Sequence, residues 1–273
     1  MKSKINKTIL GSAVAAVLSL SAGGAWARCT DISRSALEQA IGAAEGAGAA
    51  TGGYGLKMWV TLVDETGKIC QVATSGDTGL FAGNKEWLGS RVISAQKANT
   101  ANAFSLDGYA ISTANLYSAT QPGGSLYGLQ HSNPVDASVA YLGNPREYGT
   151  PNDPLRGKRI GGINVFGGGL ALYKGGKKIG AIGVSGDTSC RDHAYAWRIR
   201  EALQAHPVAP STVGITTSNK NAAGAVQTPL AGAAKGDELI LTGTGGYWDA
   251  WSHPACPNST PAVGPANGIL QAP

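Results

Sequence analysis

The chain has 273 residues, 14% charged side chains, 40 glycines and a formal net charge of +5 at neutral pH. That length is enough for one large or two small domains, and an apolar fraction of 42% excludes a largely disordered chain. The basic residues do not cluster, so the sequence predicts no binding to nucleic acid or to an acidic membrane surface.

Residues 1–27 have the pattern of a secretory signal peptide. Three lysines precede the apolar run Ile9–Leu20, and Ala25–Ala27 supplies a small-residue cleavage site. Cleavage after Ala27 predicts a periplasmic or secreted bacterial protein. It lowers the basic residues from 22 to 19, against 17 acidic ones, for a net charge of +2. No later apolar run reaches the ~18 residues of a spanning helix, so we expect no membrane span in the mature form.

The mature chain contains four cysteines, which is an even number in an exported protein. Three pairings are open to four cysteines, and we favour Cys29–Cys70 together with Cys190–Cys256. The first pair would tie the mature N-terminus to a hairpin, and the second would tie the C-terminal tail to a helix. There is no C-x-x-C motif, which argues against a thioredoxin-type redox pair or a thiolate zinc knuckle.

The first half of the mature chain predicts a helix, a hairpin and a second helix. Residues 31–50 carry apolar side chains at helical spacing, and Ser35 and Glu38 have the spacing of a capping box. Residues 57–63 and 68–74 are rich in strand formers and flank a turn that ends in Gly67. Residues 84–104 predict the second helix, whose small side chains would allow another element to approach closely.

The second half predicts a short helix, a long loop, two strands and a closing helix. The short helix covers residues 112–120, and the loop of residues 121–161 is rich in Gly, Pro and Asn. Loops of that length usually cover something or have a function. Two strands follow at 162–173 and 177–184, a helix at 190–205, and a Pro/Gly/Ala-rich tail with one strand signal at 238–241.

Glycines are densest around the two later strands, in Phe166–Gly169 and Gly180–Gly186. Such glycines indicate backbone that approaches another strand, another subunit or a flat ligand closely, or that repeatedly takes positive φ. Together with Val60–Gly67 and Lys97–Ala101, and in this order, these segments resemble the GlcG/HbpS family of exported haem-binding proteins.

The resemblance implies a profilin-like α/β (α+β) fold with a mainly antiparallel five-stranded sheet flanked by helices. It also implies homo-oligomers and haem, or a related tetrapyrrole, as ligand. We therefore divide the chain into a signal peptide (1–27), a GlcG/HbpS-like domain (28–206) and a C-terminal extension packed on the core (207–273).

The haem-binding candidates are a loop histidine, a tyrosine, a lysine and two glycines. His131 lies in the long loop and is our candidate for the iron ligand, since haem iron is usually held by His, Met, Cys or Tyr. Tyr117 could supply a phenolate, and Lys97 could pair with a haem carboxylate, with Asp64, or with a neighbouring subunit. Gly168 and Gly169 would let the backbone approach the ligand.

The other histidines have simpler structural interpretations. His193 fits a pairing on the closing helix itself or with the tail, His206 lies at the end of that helix, and His253 fits a structural position in the tail. There is no G-x-S-x-G, Walker A or H-E-x-x-H motif, and no set of residues that predicts a hydrolase.

The sequence leaves three functions open. The first is an exported haem-binding protein for sequestration, transport or sensing. The second, suggested by the family's link to glycolate metabolism, is an enzyme or accessory subunit in the periplasmic oxidation of a small hydroxy acid or alcohol. The third is a structural oligomer without a ligand.

Overall fold

The structure is a computed structural model, and it describes residues 29, 31–76, 87–205, 236–241, 251–257 and 263–271. The predicted signal peptide and His206 lie outside these residues. Within them, no helix is both long enough and apolar enough to cross a membrane.

A four-stranded antiparallel sheet forms the centre of the fold, in the order β2-β1-β4-β3. Its strands are β1 (Trp59–Asp64), β2 (Ile69–Thr74), β3 (Gly169–Lys174) and β4 (Lys177–Ser185). The mixed α/β class with an antiparallel sheet and flanking helices is confirmed. This sheet has four strands rather than the expected five, and the tail strand belongs to a separate small sheet.

Helices cover both faces of the sheet. The longer helices are α1 (Arg34–Gly46), α2 (Gly89–Phe104) and α5 (Ser189–Ala202). Two single-turn helices, α3 (Tyr117–Thr120) and α4 (Ala137–Ala140), lie between α2 and α5 in the chain. Side chains alternate between faces along a strand. Val60 and Leu62 therefore join the core with α1 and α5, whereas Trp59 and Val63 join the core with α2.

Several predicted boundaries shift for local reasons. Helix α1 begins after Ser33, whose side chain accepts the backbone N–H of Ala36, so the capping box predicted at Ser35 is wrong. The strand predicted over 162–173 begins only at Gly169. Gly162 and Gly168 have φ of 77° and 119°, which interrupt an extended strand.

Close packing explains the glycines along β4 and at the start of β3. A Cβ on Gly183 would lie 1.9 Å from the carbonyl oxygen of Ser94 and 2.5 Å from the nitrogen of Ala98, both in α2. A Cβ on Gly169 would lie 2.4 Å from Cγ2 of Thr113. Of the interpretations open to the sequence, close approach to other elements of the same chain therefore accounts for these two glycines.

The described part of the tail packs on α5. Strands β5 (Leu239–Leu241) and β6 (Ile269–Gln271) pair in parallel, and their apolar side chains join two small core clusters. The chain is cross-linked by two disulfides, Cys29–Cys70 and Cys190–Cys256. This is the pairing favoured from the sequence.

Candidate functional site

A cavity of about 360 Å³ opens between α2, the start of α5 and the loop before β1. This volume is within the range of small-molecule sites. Its lining is apolar and aromatic at the mouth and polar at the floor. The lining residues are Tyr54, Leu56, Trp87, Ser90, Ile93, Lys97, Phe166, Ser185, Gly186, Asp187, Thr188, Ser189 and Asp192.

Three aromatic side chains surround the mouth of the cavity. Trp87 is 58% exposed, Tyr54 53% and Phe166 43%. Large apolar side chains that gather at one opening while remaining exposed are typical of a binding surface. They come from three separate segments of the chain, so the fold itself brings them together.

Asp187 fixes one wall of the cavity. Its carboxylate accepts the backbone N–H groups of Tyr54 and Leu56, each at 2.9 Å, and that of Thr188 at 2.6 Å. Arg191 lies 3.6 Å from the same carboxylate and donates to the carbonyl of Gly52 at 2.6 Å. The loop that carries Tyr54 is therefore held against the start of α5 by charge-assisted hydrogen bonds.

Lys97 and Asp192 form a buried ion pair at the cavity floor. Nζ of Lys97 lies 2.7 Å from Oδ2 of Asp192 and donates to the carbonyl of Val184 at 3.1 Å. Oδ1 of Asp192 accepts the backbone N–H of Asp187 at 3.0 Å. Burial raises the pKa of Asp192 to about 6 and lowers the pKa of Lys97, and each partner's charge opposes the other's shift.

The partner of Lys97 is therefore Asp192, and the alternative pairing with Asp64 is wrong. Asp64 lies in the turn between β1 and β2, where Oδ1 accepts from the backbone N–H groups of Thr66 and Lys68 at 3.0 and 3.1 Å. These bonds tie the carboxylate to the hairpin turn.

The structure separates the other predicted haem-binding residues. Gly168 lies beside Lys97, since a Cβ there would be 3.2 Å from Nζ. Tyr117 is partly buried behind the cavity wall, and its ring centroid is 5.9 Å from that of Phe166. His131 is exposed in the long loop and does not line the cavity, and neither does Gly169.

The two described histidines outside the loop are buried. The ring of His193 stacks on Trp197 with centroids 6.1 Å apart, and burial lowers its pKa well below the usual value. His253 donates from Nδ1 to the carbonyl of Pro254 at 2.7 Å and lies 4.9 Å from the ring of Tyr117. Neither histidine lines the cavity.

Sequence reasoning missed Tyr54, Trp87 and Asp187. Tyr54 stands in a segment without strand or helix periodicity, and Trp87 falls within the helix predicted over 84–104 but precedes the start of α2 at Gly89. In both places the available signal was an aromatic residue outside a regular apolar face. Asp187 had no distinctive spacing, because its role depends on a backbone segment more than 130 positions earlier in the chain.

The family described as "Haem degrading protein HbpS-like" matches residues 32–201 of the chain. A crystal structure of the Klebsiella pneumoniae protein ORFY is 26% identical with a TM-score of 0.40, and the match covers 62% of this chain and 89% of that one. A structure of a PduOC–haem complex is also 26% identical, with a TM-score of 0.42 and coverage of 64% and 96%.

A Streptomyces reticuli HbpS double mutant is 18% identical with a TM-score of 0.40, and the match covers 71% of this chain and 99% of that one. No curated protein matches the chain.

Proposed function

The chain belongs to the HbpS-like family, and from that premise we propose that it is an exported haem-binding protein that takes the macrocycle into the cavity described above. The aromatic mouth carries the proposal, because Tyr54, Trp87 and Phe166 remain exposed at one opening. Flat apolar ligands bind where aromatic side chains converge on a concave site.

The residues of the cavity fit a haem in two respects. The mouth is apolar, with Leu56 and Ile93 beside the three aromatic rings. Haem iron is commonly held by His, Met, Cys or Tyr side chains. Among the described residues that line the cavity, Tyr54 is the only one of these types. Tyr54 would therefore hold the iron, and Trp87 and Phe166 would hold the ring.

Bound haem would supply the redox and ligand-binding chemistry of its iron. The chain's contribution is to bind and orient the ring and to exclude water. Lys97 is less suited to hold a haem carboxylate than the sequence suggested, because its ammonium already donates to Asp192 and Val184. We expect the carboxylates to face solvent instead.

A hemin titration of the mature, oxidised chain tests this proposal. We expect a saturable change in the Soret band with one haem per chain and an accompanying rise in melting temperature, since a ligand that binds only the folded state stabilises it. The absence of both changes would overturn the proposal. The mass of the protein in solution, with and without hemin, tests the expected homo-oligomer.

The same sample distinguishes binding from degradation, which the family description names. The complex is incubated in air with ascorbate as reductant, and the Soret band is followed. A stable band supports sequestration or transport, whereas a loss that requires folded protein would show that the bound haem is degraded. No specific contact of the described cavity favours the hydroxy-acid alternative.

A further inference from the structure

Three metal-ligating side chains meet where the tail joins the start of α5. The donor atoms of Cys190, His253 and Cys256 all lie within 4.8 Å of one another. Cys190 and His253 are buried and Cys256 is partly buried. In the structure the two sulfurs are bonded to each other, so the three donors could act together only after reduction.

Contacts around the group already orient two of the donors. Nδ1 of His253 donates to the carbonyl of Pro254 at 2.7 Å, which leaves Nε2 as the nitrogen of the ligating tautomer. Such a second hydrogen bond is the usual support of a metal-bound histidine. Sγ of Cys256 accepts the backbone N–H of Cys190 at 3.0 Å, in the first turn of α5. A helix N-terminus favours a negatively charged thiolate at that position.

We propose that reduction of the Cys190–Cys256 disulfide creates a zinc-type site whose protein ligands are Cys190, Cys256 and His253. A thiol-class reductant cleaves the S–S bond by exchange: its two sulfurs leave joined as a disulfide, and its two thiol protons are transferred to Cys190 and Cys256. Metal binding then releases the two thiol protons. Two thiolates and an imidazole suit Zn²⁺, and a fourth position remains for water.

The second disulfide offers a matched comparison. Cys29, Asp64 and Cys70 also hold their donor atoms within 4.8 Å. There, however, Oδ1 of Asp64 already accepts two backbone N–H groups, and the Lys68 ammonium lies 3.7 Å from Oδ2. A carboxylate also suits thiolate-preferring metals less well than imidazole does. We therefore assign the site to the histidine-containing group.

Co²⁺ provides an optical probe of the site, because thiolate ligation gives an intense sulfur-to-metal charge-transfer band. The full mature chain is reduced with a phosphine, freed of haem and titrated with Co²⁺ and then Zn²⁺. We expect one equivalent of Co²⁺ to bind with that band, and Zn²⁺ to displace it. The oxidised chain should show neither change.

Variants assign the ligands. Cys29→Ser/Cys70→Ser should keep the band, whereas His253→Ala should weaken Co²⁺ binding at least about tenfold. Cys256→Ser should lose most of the band. Circular dichroism establishes that each reduced sample is folded. If the double serine variant does not fold, the ligands are assigned by whether Cys256→Ser loses the band that the reduced wild-type chain shows.

A reduced, folded chain without a thiolate band would overturn the assignment, and so would a band that Cys256→Ser retains in full. Because every titration is carried out without haem, neither result depends on whether the cavity binds haem.

Discussion

Nζ of Lys97 and Oδ2 of Asp192 lie 2.7 Å apart at the floor of a cavity whose mouth is aromatic. The pair joins α2 to α5 across the end of β4, so it also holds the two helices that form opposite walls. Removing one partner of a buried ion pair leaves the other charge buried without a counter-charge, which is strongly destabilising. Replacing both partners with apolar side chains removes both charges and costs much less.

The first prediction concerns the stability of this pair. Lys97→Met should lower the free energy of unfolding by about 3–5 kcal/mol, because Asp192 would stay buried without its cation. Lys97→Met/Asp192→Leu should recover much of that loss. Urea unfolding measures both. Lys177→Ala, which breaks the exposed pair with Asp107, is the control and should change stability little.

A result in which the single and double variants lose the same stability would contradict this explanation. It would mean that packing at the cavity floor matters and that the charges do not.

The second prediction is the pH dependence that Asp192 imposes. Its pKa in the folded state is raised to about 6, against roughly 3.9 in an unfolded chain. Between these values the folded protein holds a proton that the unfolded chain has released. Raising the pH through this window therefore lowers the free energy of unfolding, and the loss is complete above about pH 6.

The groups that face Asp192 are Lys97, whose charge opposes the shift, and Asp187, whose charge adds to it. We expect the stability of Asp192→Asn, measured by urea unfolding, to fall less than that of the wild-type chain between about pH 4 and pH 6. Carbon-13 NMR of the carboxyl group should show its midpoint near 6. A midpoint near 4 would remove the basis of this prediction.

The third prediction tests the aromatic mouth. Trp87→Ala and Phe166→Ala should each weaken hemin binding by about tenfold, because stacking of an aromatic side chain on a ligand contributes on the order of 1–1.5 kcal/mol. Tyr54→Phe should keep the affinity within a few-fold and change the Soret position, since it removes only the iron-binding oxygen. His131→Ala provides the control.

If His131→Ala shifts the Soret band and Tyr54→Phe does not, the loop histidine is the ligand and the sequence-based choice is restored.

Much of the fold, and less of the candidate site, could be predicted from the sequence. The hairpin, α2, β4 and α5 each have local signals, namely strand formers around a glycine turn and apolar or small residues at helical spacing. Lys97 could be selected as a candidate because a lysine among small side chains needs a counter-charge. Its partner could not be predicted, since Asp192 and Asp64 are both acidic and only the crossing of α2 over β4 brings one of them within reach.

The fourth prediction separates glycines that pack from glycines that do not. Gly183→Ala would place a Cβ 1.9 Å from the Ser94 carbonyl, which is backbone and cannot move without shifting α2. We expect a loss of at least about 1–3 kcal/mol, the usual cost of overpacking a core.

Gly42→Ala is the matched control, because it lies on the exposed side of α1 with nothing within 4 Å of its Cβ. It should stabilise the chain by about 0.5–1 kcal/mol, since alanine loses less backbone entropy in a helix. Denaturant unfolding of the two variants under the same conditions provides the comparison. Equal effects would mean that helix α2 and strand β4 are not in close contact.

The fifth prediction concerns the tail. Arg200 in α5 is fully buried and donates to both carboxylate oxygens of Asp237, at 2.5 and 2.8 Å, and to the carbonyl of Ala171 in β3 at 3.2 Å. The pair therefore ties the segment before β5 to the central sheet. Asp237→Ala would remove both carboxylate hydrogen bonds of the buried guanidinium and leave it with the charge of Glu238 alone, so we expect a cost of about 3 kcal/mol.

The expected loss should appear first in the tail, because Arg200 keeps its contacts with Ala171 and with the ring of Trp197. Limited proteolysis of Asp237→Ala should cleave within the tail before the core, whereas the wild-type chain should resist cleavage at 236–241. Hydrogen exchange measures the same opening at the amides of β5. If the protection of β5 is unchanged while the whole chain unfolds more easily, the ion pair stabilises the sheet and α5 rather than the attachment of the tail.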